Sequence, residues 1–143
     1  MERQARGFSL MEILVALAIV GVLTAIAVPA YSGHVVRTRL TEAFAGLAGI
    51  QPNAEQFWAN NRTFAGLDQE SPSRMPANSA NFTYALSNAT ASTYTVTATG
   101  RGPAAGFTFT IDQGGSRATT AVPSGWTSSS TCWIDRKGGL CVQ

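Results

Sequence analysis

Histidine is almost absent from this chain and cysteine is scarce: there is one His and there are two Cys in 143 residues. Metal centres and nucleophilic catalysis both draw on those residue types, so the shortage narrows the field. His34 stands beside Arg37 and Arg39, just past an apolar tract, which suits an interfacial or solvated side chain better than a general base. Glu42 with Glu55, or Asp112 with Asp135, are the available carboxylate pairs, and no nucleophile–base arrangement accompanies them. The sequence therefore reads as non-enzymatic, with no cofactor and no metal site. A formal net charge of +2 is too small for a long-range electrostatic argument.

Charge is also missing along residues 8–31, FSLMEILVALAIVGVLTAIAVPAY, where Glu12 is the only formally charged side chain. As a helix this tract would reach roughly 36 Å, against a hydrocarbon layer about 30 Å thick. It is competent to cross a membrane, or to be buried on all sides by other helices. A carboxylate at the bilayer centre costs about 2.5–3.5 kcal/mol, but Glu12 lies one turn past Phe8 and can stay near one interface. Read blandly, Glu12 is an interfacial charge. Read more sharply, it awaits a cation from another molecule, because its own segment carries no Lys or Arg.

Ahead of the tract, residues 1–7 carry Arg3 and Arg6 against Glu2, and their removal would leave a net charge of +2 − 2 + 1 = +1. An ordinary secretory peptide is cut after its apolar core. Ala25-Ile26-Ala27 or Ala27-Val28-Pro29 would be the site, although proline makes a poor context there. A cut before the core keeps the helix. Arg3 and Arg6 then hold the N-terminus on the cytoplasmic side and everything past Tyr31 faces outward, where two cysteines also fit.

Beyond Tyr31 the pattern turns amphipathic. Val36, Leu40, Phe44, Leu47, Ala54 and Phe57 fall near helical spacing, so one helix is expected over residues 8–61 with 8–31 as its membrane-competent part. Pro29 predicts a kink, and Pro52, behind Gly46 and Gly49, predicts a bend or an early end. Residues 62–80 read as a surface loop. Period-two alternation over 82–86, 94–98 and 107–111 predicts a one-sided antiparallel sheet, with a fourth strand near 117–122 and the helix stripe as its cover. Cys132 and Cys141 are expected to form a disulfide; zinc is disfavoured because no second pair exists and His34 is remote. The fold class is α+β, with residues 62–143 as a small globular head.

The run Gly7-Phe8-Ser9-Leu10-Met11-Glu12, with its basic leader and an apolar helix containing Gly21 and Pro29, resembles the N-terminus of type IV pilins. That resemblance implies the pilin fold, a prepilin peptidase cut between Gly7 and Phe8, and N-methylation of Phe8. It implies that Glu12 pairs with the Phe8 amine of a neighbouring subunit, and that Gly21 and Pro29 mark where the helix loosens in a filament. The expected partners are other pilins, the peptidase, the inner-membrane assembly machinery and, before assembly, the membrane. The expected location is the bacterial inner membrane with the head in the periplasm, then an extracellular filament serving adhesion, twitching motility or DNA uptake. Residues 60–67 look like the helix exit of many pilins. The short Gly- and Thr-rich head and the Cys132-Trp133 loop resemble a minor, major-pilin-like subunit.

Two alternatives stand beside that structural role. A type II secretion pseudopilin shares the leader and helix, but its major type resembles a calcium-binding head without this disulfide. Some minor pilins similar to this one bind DNA, which needs clustered cations. Arg101, Arg117, Arg136 and Lys137 are the candidates for one end of the sheet, with Trp126 or Trp133 as a stacking face. By resemblance the Cys132–Cys141 loop is exposed, which makes Trp126, Trp133, Arg136 and Lys137 the expected contact surface.

Overall fold

A computed structural model describes residues 8–142, except for the side chains of Pro29 and Ala30. The expected leader, and Gly7 with it, lies outside the described residues. The chain divides into two compact units, Met1–Val35 and Val36–Gln143. One helix, α1 (Leu10–Asn61), contributes to both.

In the first unit Ser9 starts the helix. Its hydroxyl accepts the Met11 amide at 3.3 Å, and its carbonyl accepts the amides of Glu12 and Ile13. Glu12 in the first turn completes a Ser-x-x-Glu start and puts negative charge at the positive end of the helix dipole. The helix continues through Gly21 and Pro29 without a break in its assignment. Its large apolar side chains from Leu10 to Val28 are exposed, and the segment is long and apolar enough to cross a membrane.

In the second unit, α1 buries Leu40, Ala43, Phe44, Leu47, Ile50, Ala54 and Phe57 against a four-stranded antiparallel sheet. Pro52 does not end the helix early. Losing one amide and crowding the preceding turn costs about 3 kcal/mol, while Ile50 and Phe57 on either side gain about 1.5–3 kcal/mol each by burial. Termination comes at Arg62, whose φ of 57° is the left-handed conformation that closes a helix. Its amide reaches the Trp58 carbonyl at 2.7 Å.

The sheet is a meander, β1 (Phe82–Ser87), β2 (Thr95–Gly100), β3 (Thr108–Asp112) and β4 (Arg117–Ala121), each strand paired with the next. The row Tyr84–Ala98–Phe109–Thr119 faces the helix, and the row Ala85–Thr97–Thr110–Ala118 faces away. A Cβ at Gly46 would fall 2.5 Å from the Tyr84 hydroxyl, so glycine is what lets the helix lie this close to β1. The segment before β1 has no regular structure, yet it is more than a surface loop: Phe64 and Leu67 are buried, and Phe64 meets Tyr94 edge-on at 4.8 Å.

The C-terminal segment attaches to the free edge of β4. Thr119 and Ser129 exchange backbone hydrogen bonds, and the buried Thr119 hydroxyl donates to the Cys132 carbonyl at 2.9 Å while accepting the Ile134 amide at 3.1 Å. Cys132 and Cys141 are joined and frame a short hairpin of β5 (Ile134–Arg136) and β6 (Leu140–Cys141). Breaking this loop with paired Cys→Ser substitutions should lower stability by about 2–3 kcal/mol, from the freedom restored to the unfolded chain. The urea midpoint of the double variant against wild type in matched detergent checks this.

Candidate functional site

The residues nominated from sequence do not all meet. Arg101 follows β2 and Arg117 opens β4, and in this register the end of β2 and the start of β4 lie at opposite ends of the sheet. Arg101 is therefore separated from the other candidates by the length of a strand. Trp133 is not a surface ring either. It is 2% exposed, its indole N–H donates to the Thr110 carbonyl at 2.8 Å, and Phe44 stacks on it at 5.5 Å with the planes 3° apart. The Arg117 guanidinium lies 4.5 Å from its ring centre. With Phe44 and Arg117 covering the ring, no base can stack there. Trp126 is half-buried edge-on against Phe107 at 4.8 Å.

What the fold does assemble is a basic corner. Alternation puts Arg117 on the helix-facing side of edge strand β4, where it caps Trp133. Arg136 ends β5, and Lys137 follows it in the turn. Arg37, which the sequence left as an ordinary polar position of the helix, joins them through Asp135: Arg37 Nε lies 2.6 Å from Asp135 Oδ2 and Arg136 Nε 3.4 Å from Oδ1. Arg37 and Arg136 thus both pair with one acid, and Lys137 follows Arg136 in the chain. Between Arg37 and Arg117 runs an open groove of ≈ 360 Å³, lined also by Thr41, Ala45 and Ala48 with Phe44, Trp133, Asp135 and Val142. The corner offers guanidinium and ammonium groups at a rim and apolar surface within, which suits an anionic polymer and supplies no group for covalent chemistry.

Asp135 itself is 5% exposed. Glu42 is a partly buried acid on α1. Hydrogen bonds from the Ser79 and Asn81 side chains hold its carboxyl below the ordinary glutamate value, the Asn81 amide at 2.7 Å from Oε2. A depressed folded-state value means stability that is present above the ordinary range and lost as the pH falls through the depressed one. Wild type should therefore be more stable than Glu42→Gln at neutral pH, with the gap closing on acidification. Urea midpoints of both proteins across the acid range test this; a gap that stays constant or widens would contradict it.

Residues 29–110, more than half of the chain, match a family model described as type IV minor pilin ComP, DNA uptake sequence receptor. Residues 3–28 match the prokaryotic N-terminal methylation motif. The chain is 38% identical over 60 residues to a fimbrial protein of Moraxella nonliquefaciens, covering 42% of this chain and 39% of that one. It is 49% identical over 49 residues to the fimbrial protein EcpC of Eikenella corrodens, covering 34% and 31%. It is 34% identical over 68 residues to the type IV major pilin protein PilE1 of Neisseria gonorrhoeae, covering 43% and 41%. The matches span between about a third and two fifths of these relatives' lengths. Apart from Arg37, the cations of the corner lie beyond the family match, in the C-terminal part of the chain. A helix on a small antiparallel sheet with a C-terminal disulfide, preceded by a methylation motif and matched across most of its length before β4, makes the chain a member of the type IV minor pilin ComP family.

Proposed function

We propose that this chain is a DNA-capturing minor pilin, its basic corner gripping the phosphate backbone while its N-terminal helix anchors it in a type IV pilus. Support for DNA comes from the family match, whose description names a DNA uptake sequence receptor. Support for the surface comes from Arg37 and Arg136 paired with Asp135, from Arg117 lining the same groove as Arg37 and Asp135, and from Lys137 next to Arg136 in the chain. Because neither Trp133 nor Trp126 offers a free ring, contact is through phosphates and not through stacked bases.

Fluorescence anisotropy of a labelled short DNA duplex against the full chain in detergent tests the proposal. Four phosphate contacts give a log–log salt slope of about −3 to −4, and Lys137→Gln should reduce its magnitude by about one. Arg101→Gln, at the far end of the sheet, should change the slope little. No salt-sensitive binding by wild type would reject the DNA function; equal losses from Arg101→Gln and Arg117→Gln would reject the corner.

The remaining assignments concern assembly. The leader, residues 1–7, is removed after Gly7 by a prepilin peptidase, and Phe8 becomes the methylated N-terminus. Glu12 neutralises the Phe8 amine of a neighbouring pilin, and Gly21 with Pro29 provides the place where the helix loosens on packing. The precursor sits in the bacterial inner membrane with the second unit outside. The extracellular filament, formed with other pilins by the inner-membrane machinery, holds the mature chain. These roles draw support from the methylation motif over residues 3–28 and from the exposed apolar surface of α1.

A further inference from the structure

Asp135 poses an electrostatic question. It is the buried charged side chain among the described residues, and it sits inside a patch whose proposed ligand is an anion. On net charge alone it should weaken binding, and removing it should help. The geometry points to the opposite role: we propose, resting on the DNA function above, that Asp135 is a positioning residue that holds Arg37 and Arg136 in the orientation that meets phosphate.

Three observations carry this. Both pairs approach the carboxylate most closely through Nε, 2.6 Å for Arg37 and 3.4 Å for Arg136, while the two arginine side chains remain 48% and 54% exposed. The carboxylate thus meets the inner edge of the Arg37 guanidinium and lies within ion-pair distance of Arg136, its Oδ1 accepting no hydrogen bond, and about half of each side chain faces solvent. The arginines also come from different elements, α1 and β5, so the acid brings together two cations that the backbone alone does not join. Finally, Asp135 is itself fixed. Its neighbours Trp133 and Ile134 are buried, the Val142 amide donates to the Trp133 carbonyl at 2.8 Å, and the disulfide closes the loop around it. A free arginine loses rotamer freedom when it grips a phosphate; one already held by a buried carboxylate has lost it on folding.

The test is anisotropy of a labelled duplex with full-length wild type, Asp135→Asn, Arg37→Lys and Lys137→Gln in detergent, after thermal unfolding has shown which variants fold. Asp135→Asn should bind three- to tenfold more weakly although it raises the net charge by one, and its salt slope should fall in magnitude because fewer phosphates are engaged. Binding equal to or tighter than wild type overturns the proposal. Should Asp135→Asn not fold, Arg37→Lys gives the decision, because it keeps the charge and discards the guanidinium edge. Affinity lost in Arg37→Lys supports positioning, and affinity unchanged overturns it. Failure of wild type to bind, by contrast, rejects the DNA function itself, whereas wild-type binding with an intact or improved Asp135→Asn rejects only the positioning role.

Discussion

Glu12→Val should leave the chain inserted in the membrane but remove it from filaments, a loss of at least tenfold in incorporation. Insertion becomes easier when a carboxylate is taken out of an apolar helix, by up to about 2.5–3.5 kcal/mol at the bilayer centre. The helix start loses the acid of its first turn, an effect of about 0.3–1 kcal/mol, which does not unfold a 52-residue helix. What disappears is the proposed partner for a neighbour's Phe8 amine. A minor subunit can be dispensable for filament number, so the quantity to measure is the tagged variant itself in sheared filaments against its level in membranes. Incorporation equal to wild type would reject the pairing role.

Phe44→Ala should lower the stability of the second unit by about 3–5 kcal/mol. Phe44 is 8% exposed, stacks on Trp133 at 5.5 Å, and meets Phe109 edge-on at 5.0 Å. It joins the helix, the middle of the sheet and the disulfide loop at one point. Domains of this kind hold about 5–15 kcal/mol in all, so the variant would retain between none and about four fifths of it. Near-UV circular dichroism during urea titration should show an early, shallow transition. Because Phe44 also supports the ring under Arg117, duplex binding should weaken even where the variant stays folded. A midpoint close to wild type would mean that the core is not centred on this ring.

The parts of this molecule that were legible in sequence are those whose periodicity reports their surroundings. Leu40, Phe44, Leu47 and Phe57 repeat at helical spacing because one face is covered, and the strands alternate because only one side of the sheet is. Ala43 and Ile50, also buried, complete the stripe. The apolar tract was legible because charge is so costly there.

Side chains whose position depends on long-range packing were not legible. Trp133 lies in a Gly- and Ser-rich neighbourhood that looks exposed, and it is buried because Phe44 and the Thr110 carbonyl receive it. Asp135 looks like a solvated acid until Arg37, at the other end of the second unit's sequence, is seen beside it. The separation of Arg101 from Arg117 was available in principle, since the end of a second strand and the start of a fourth lie at opposite ends of any meander.

The central claim is that the apolar helix stays attached to the second unit and becomes the filament's means of assembly. Intact mass spectrometry of the chain recovered from sheared filaments tests it most directly. The account predicts a species that begins at Phe8, carries one added methyl group and lacks the two hydrogens of a reduced Cys132–Cys141 pair. A species that begins beyond residue 25, with the apolar tract gone, would contradict it.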